Sequence, residues 1–259
     1  MSNSPLVTYT RVSPNRNSPR NHAIDRITIH CYVGQVTAER GCSGKRFVTY
    51  DPRNGASCNY VVGCNGSIGL CVPESDRSWC SSSRENDHRA ITIETASDNF
   101  HPYTVTDAAY SALLDLCTDI CRRNGKRKLL WMADEWTALS YQPAADEMVL
   151  TVHRWFAAKA CPGEYLLNRH AEIAAEVTRR LGEEETDLTE EQVRTIVRDE
   201  YAKIEAERAA LPASMPEQVA EAVALGISAD GSRPQALLTR EEGMVMAKAA
   251  YLAAVKAAQ

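Results

Sequence analysis

Within residues 153–163, HRWFAAKACPG, an imidazole, an ammonium and a thiol stand at His153, Lys159 and Cys161, and Pro162-Gly163 follow at once to fix a turn. This spacing lets one local segment present His153 and Cys161 to the same metal ion with Lys159 beside them. A tetrahedral zinc used in catalysis takes three protein ligands and keeps a fourth position for water, and two histidines with one cysteine are among its ligand sets. The third ligand must come from elsewhere, and the candidate is His30, which ends the apolar run Ile27-Thr28-Ile29. Glu94 closes a second apolar run, Ala90-Ile91-Thr92-Ile93, and suits a base that takes a proton from the attacking water and returns it to a leaving amine. Lys159 is suited to an oxyanion formed on a polarised carbonyl. Taken singly, each residue has an ordinary alternative: a strand-end histidine that only hydrogen-bonds, a chance helix-and-turn pairing, a surface carboxylate, a salt-bridge lysine. Their joint pattern is what favours a zinc site over these.

The elements that must position these groups emerge from periodicity. Arg26–Val33 reads as a strand that delivers His30 at its end, and Ala90–Glu94 as a short strand ending in the carboxylate. Cys58–Val62 and Ile68–Val72, separated by Asn65-Gly66, form a hairpin signal, because Asn-Gly supplies the positive φ that a tight turn needs. The spacing of Ala109, Leu113, Leu114, Leu116, Cys117 and Ile120, with Asp107 in the first turn, predicts a helix over 106–121 that covers the sheet. Leu129–Met132 is a further short strand, Asp146–Val152 leads into the metal segment, and Gly163–Leu181 is a helix closed by Gly182. Residues 1–23, rich in Ser, Pro, Asn and Arg, read as an extended arm with little structure of its own. Thr37–Ala56 and Ser75–Asp87 read as polar loops crossing the active face. Strands interleaved with helices imply an α/β fold, a mixed central β-sheet flanked by helices, with ligands gathered near strand ends.

Composition separates a second region. The chain of 259 residues carries a formal charge of -5, but residues 183–259 hold 15 acidic and 8 basic side chains, so the first 182 residues are mildly basic. That balance argues against a dedicated nucleic-acid binder. All nine cysteines lie at or before Cys161. No secretory signal pattern is visible, and no apolar run is long enough to span a membrane, so membrane insertion is not expected. An odd number of cysteines without a signal favours synthesis in a reducing compartment with mostly free thiols. The expected organisation is a catalytic domain over 1–182, a helical linker over 183–212 with the stripe Val193, Ile196, Val197, Tyr201 and Ile204, and a small all-helical C-terminal appendage over 213–259. An appendage that small can hardly build a strong core alone, which points to attachment to a surface or to self-association as a homodimer.

DRITIHCYVGQ, NYVVGCNGSI, HRAITIETASDN and HRWFAAKACPGEYLL, in that order, resemble the zinc-dependent N-acetylmuramoyl-L-alanine amidases of the type-2 amidase family, which includes phage lysozyme-like amidases and peptidoglycan recognition proteins. The resemblance covers about residues 20–182. It implies that His30, His153 and Cys161 hold Zn2+, that Lys159 is the catalytic lysine and Glu94 the base, and that the substrate is bacterial peptidoglycan. It further implies an endolysin made in the host cytoplasm that acts at the cell wall after release. Two positions depart from the family's pattern. Cys58 stands where lysozyme-like members carry a tyrosine, with Tyr60 or Glu94 left to take that role, and Trp79-Cys80 stands where relatives have an aromatic-histidine pair. The tail's Gly226-Ile227, Asp230–Pro234 and Leu238–Glu242 resemble part of a surface-layer-homology module, which implies wall targeting. Two alternatives remain: a non-hydrolytic peptidoglycan-binding module, and a cytoplasmic amidase that recycles soluble muropeptides.

Overall fold

The computed structural model describes residues 2–182, 194–195 and 197–203. The chain divides into two units, Met1–Glu185 and Thr186–Gln259. In the second unit residues 197–203 are helical, with Val197 and Tyr201 exposed. The appendage expected over 213–259 lies outside the described residues, as does most of the linker. Among the described residues no helix is long and apolar enough to cross a membrane.

The first unit is a seven-stranded mixed sheet between helices. In chain order its strands are β1 (Tyr9–Thr10), β2 (Arg16–Asn17), β3 (Arg26–Cys31), β4 (Tyr60–Val62), β5 (Ile68–Leu70), β6 (Arg77–Ser78), β7 (Ala90–Thr95), β8 (Lys128–Leu130) and β9 (Glu147–Val152). The large sheet runs β1-β5-β4-β7-β3-β9-β8, and β2 pairs with β6 in a separate ribbon. Only the β4–β5 hairpin is antiparallel within the large sheet, turning through Gly66 at φ +79. The helices are α1 (Ala38–Cys42), α2 (Lys45–Val48), α3 (Arg84–Arg89), α4 (Asp107–Arg123), α5 (Glu135–Ser140), α6 (Gly163–Leu167) and α7 (His170–Gly182). Thr106 caps α4 by accepting from the Ala109 N–H, as the first-turn pattern requires.

Three central parallel strands share one tetrad: Ile27-Thr28-Ile29-His30 in β3, Ile91-Thr92-Ile93-Glu94 in β7, and Leu150-Thr151-Val152-His153 leaving β9. Side chains alternate faces along a strand, so the two kinds of residue separate cleanly. Ile27, Ile29, Ile91, Ile93 and Leu150 bury themselves against Leu113, Leu116 and Ile120 of α4 and Ile173 and Val177 of α7. The opposite face carries Thr28, Thr92 and Thr151, all without solvent exposure. Their hydroxyls are satisfied there: Thr28 bonds Thr151 at 2.7 Å, Asn86 of α3 donates to Thr28 at 2.9 Å, and Thr92 bonds Ser78 at 2.7 Å. Buried hydroxyls without such partners would each cost about 1–3 kcal/mol.

Several segments differ from the periodicity reading. The arm over residues 1–23 does run extended, but it is fastened: Tyr9 and Thr10 pair with Gly69 and Leu70, Ser13 and Asn15 are buried, and the Arg20 guanidinium donates to the carbonyls of Glu74, Asp76 and His88. Backbone pairing supplies what its composition lacks. The polar span 37–56 contains α1 and α2, and 75–87 contains β6 and the start of α3, because Thr37 and Ser83 each cap a short helix from an otherwise polar stretch. The expected helix over 163–181 is two helices, α6 and α7, separated at Asn168-Arg169.

Tyr60 faces the core side of the sheet, with its hydroxyl donating to Glu74 Oε1 at 2.6 Å and accepting from the Ser4 N–H at 2.9 Å. Arg123 of α4 forks onto the same carboxylate at 2.6 and 3.0 Å. Glu74 is 1% exposed, so Arg123→Ala would remove both guanidinium hydrogen bonds and the countercharge, leaving the buried carboxylate with the Tyr60 hydroxyl as its donor. The expected loss is about 3–5 kcal/mol, read as a lower urea midpoint at unchanged m-value.

Candidate metal centre and its cleft

The tetrads decide where the chemistry sits. In parallel pairing His30 lies opposite Glu94, and β9 flanks β3 on its other side, so His30, Glu94 and His153 emerge on the polar face at the carboxyl ends of three neighbouring strands. That edge is where open α/β sheets gather ligands. His153 begins a 3-10 turn (His153–Trp155), and Trp155 stacks on Trp131 with centroids 5.3 Å apart and planes 3° from parallel, while Trp131 leans on His170 at 4.6 Å. The stack holds the turn against the domain.

Cys161 returns to this point through the loop 154–163. Arg154 spans that loop: its guanidinium donates to the Ala160 carbonyl at 2.6 Å and to Glu164 Oε1 at 3.1 Å, and its N–H donates to the Cys161 carbonyl at 3.2 Å. Gly163 closes it at φ +81, and a Cβ there would stand 2.7 Å from Tyr103 Cβ. Gly163→Ala therefore combines a left-handed backbone with a clash. We expect a loss of about 1–3 kcal/mol in thermal or urea unfolding, together with weaker metal retention because the same turn aims Cys161.

His30, His153 and Cys161 each present a ligand atom within 4.8 Å of the others. His30 Nδ1 lies 3.3 Å from Cys161 Sγ, and the two imidazoles meet edge to face at 4.9 Å. Across a tetrahedral ion with metal–sulfur and metal–nitrogen bonds of about 2.3 and 2.0 Å, a ligand edge is about 3.5 Å. The 3.3 Å contact fits that edge. Burial pushes both imidazoles below their ordinary pKa, with the other ring's charge adding to the effect on His30 and that of Lys159 on His153. Neutral imidazole is the form that binds metal. Ser82 Oγ bonds His153 Nε2 at 2.9 Å, which orients the ring and leaves Nδ1 for the centre. Sequence reasoning missed Ser82, whose only signal was a place in a polar stretch.

Glu94 stands beside the three. Its Oε1 accepts from Cys80 Sγ at 3.8 Å, and its Oε2 is buried without a partner. Burial pushes the carboxyl up to about 8, a position from which it can both take and give a proton near neutrality. Lys159 is exposed and lines the same cleft, whose volume is about 700 Å3. Both polar spans wall it, 37–56 through Lys45, Arg46 and Arg53, and 75–87 through Arg77, Trp79 and Arg84. Cys58 is fully buried with Cys42 and Cys71 below the cleft, and Tyr60 points away to Glu74. The structure thus turns Tyr60 away from the cleft, and Glu94 is the carboxylate that groups with His30.

The model of the Amidase_2 family, N-acetylmuramoyl-L-alanine amidase, matches residues 20–164, more than half of the chain. The chain belongs to that family. Solved structures similar to this amidase include PlyL, 16% identical with a TM-score of 0.41 over 65% of this chain and 95% of that one. A selenomethionine AmpD derivative is 17% identical, with a TM-score of 0.43 over 70% and 99%. The endolysin N-acetylmuramoyl-L-alanine amidase LysCS from Clostridium intestinale URNW is 15% identical, with a TM-score of 0.44 over 66% and 96%. No curated protein matches the amidase in sequence.

Proposed function

We propose that this amidase hydrolyses the bond between N-acetylmuramic acid and the L-alanine of the stem peptide, using zinc held by His30, His153 and Cys161, and that it serves as a phage or prophage endolysin. The observation that carries the reading is the meeting of those three side chains at the edge of the sheet, with Glu94 and Lys159 on the same cleft. Zinc in such a ligand set supplies Lewis acidity and lowers the pKa of water. Glu94 takes the proton of the attacking water and delivers it to the departing L-alanine nitrogen. Lys159 places its charge where the carbonyl oxygen becomes an oxyanion. Ser82 holds the His153 ring in place during the cycle.

The cleft favours an anionic substrate. Lys45, Arg46, Arg53, Arg77, Arg84 and Lys159 line it against Asp87 and Glu94, and stem peptides carry several carboxylates. A separate second unit, Thr186–Gln259, favours intact wall over soluble muropeptides. Mass spectrometry of digested peptidoglycan tests the reaction: free stem peptides beginning at L-alanine, with glycan strands stripped of them, are expected. Cuts within the peptide, or new reducing sugar ends, would overturn the assignment.

A further inference from the structure

A second set of ligand atoms adjoins the first. His30, Cys80 and Glu94 also present one ligand atom each within 4.8 Å of one another. The first set leaves this one unfilled. His30 Nδ1 faces Cys161, while His30 Nε2 is buried without a partner in a side chain only 1% exposed. Glu94 Oε2 is likewise buried and unpartnered, and the Cys80 thiol reaches Glu94 Oε1 at 3.8 Å. An ion bridging a thiolate and a carboxylate oxygen with bonds of about 2.3 and 2.0 Å sets them about 3.5 Å apart. A few tenths of an ångström of closure at a side-chain rotamer would therefore convert this hydrogen bond into a ligand edge. Cys80 lines the cleft, so an ion can arrive from solvent.

We propose that Cys80 and Glu94, with His30 shared, form a second site for a thiophilic divalent cation, and that filling it silences the enzyme. The inference rests on the first site holding zinc as proposed above. Charge favours double occupancy: the thiolates of Cys161 and Cys80, the carboxylate of Glu94 and a bridging His30 imidazolate together offset two divalent charges. The second ion binds more weakly than the first, because it brings one thiolate and one carboxylate together with an imidazole already engaged. Each metal must displace the proton of its thiol, and the second must also release to solvent the Nε2 proton of His30, which then bridges the two ions as an imidazolate, and any proton held by Glu94. Once coordinated, Glu94 can no longer accept a proton, so inhibition arises from the chemistry of the base and needs no change of shape.

The full chain, stripped with chelator and re-equilibrated in zinc buffers of rising free concentration, provides the test. Metal per chain and turnover are measured together for wild type, Cys80→Ala and Cys80→Ser. Wild type is expected to bind one equivalent with gain of turnover and then a second with its loss, whereas both variants stop at one and show no decline relative to their own maximum. Cadmium titration should show a sulfur-to-metal absorption band growing in a second phase in wild type alone. Saturation of wild type at one equivalent, or an equal second equivalent and equal inhibition in the variants, would overturn the proposal. Failure to bind the first equivalent would instead overturn the zinc reading on which it stands.

Discussion

A Cys161→Ser enzyme is expected to come off purification without zinc and to leave peptidoglycan uncut. The hydroxyl that replaces the thiol stays protonated near neutrality and is a far poorer ligand, and the two remaining imidazoles cannot hold a catalytic ion alone. Loss of an outer-shell partner costs roughly 10- to 100-fold in metal affinity, and a direct ligand costs more. His30→Ala should behave alike, although His30 lies 131 positions away in the chain. Zinc content by elemental analysis and turbidity loss of cell walls are the paired measurements. Retention of a full zinc equivalent in both variants would dismiss the ligand set, whatever happened to activity.

Glu94→Gln is expected to separate the two quantities. The amide keeps the carboxyl's shape beside Cys80 and takes no part in the first ligand set, so zinc stays bound. It cannot accept a proton at neutral pH, and turnover should fall by about 10²- to 10⁴-fold, the range of general acid–base catalysis. Binding of intact wall fragments should survive. A glutamine variant with near-normal turnover would move the role of base elsewhere, and no other carboxylate lies within 4.8 Å of His30 in the ligand groups found among the described residues.

Much of this is legible in sequence, for identifiable reasons. His30, His153, Cys161, Glu94 and Lys159 can be named because strand ends and a Cys-Pro-Gly turn leave strong local marks. The β4–β5 hairpin and α4 are legible from Asn65-Gly66 and from a helical apolar stripe. The features that escape have no local signature. The arm over 1–23 is ordered by pairing with β5 and by a buried Arg20, and long-range partners are invisible to periodicity. Strand parity from Cys58 would turn Tyr60 to the same side, but regular β4 begins only at Tyr60, and Cys58 packs with Val61 on one face while Tyr60 packs with Val62 on the other. A usable clue is the repeated apolar-threonine-apolar tetrad, which marks three strands as neighbours and sends His30, Glu94 and His153 to one side.

The division of the sheet into two faces has an evolutionary consequence. Cohesion resides in the aliphatic layer under α4 and α7, whereas reactivity resides in a handful of polar tips on the far side, so the two can be altered almost independently. Lesions at His30 or Cys161 should disarm the protein while leaving it folded and still able to grip its polymer. Such a scaffold can trade cutting for mere holding by a change at its reactive tips, with its cohesive layer untouched.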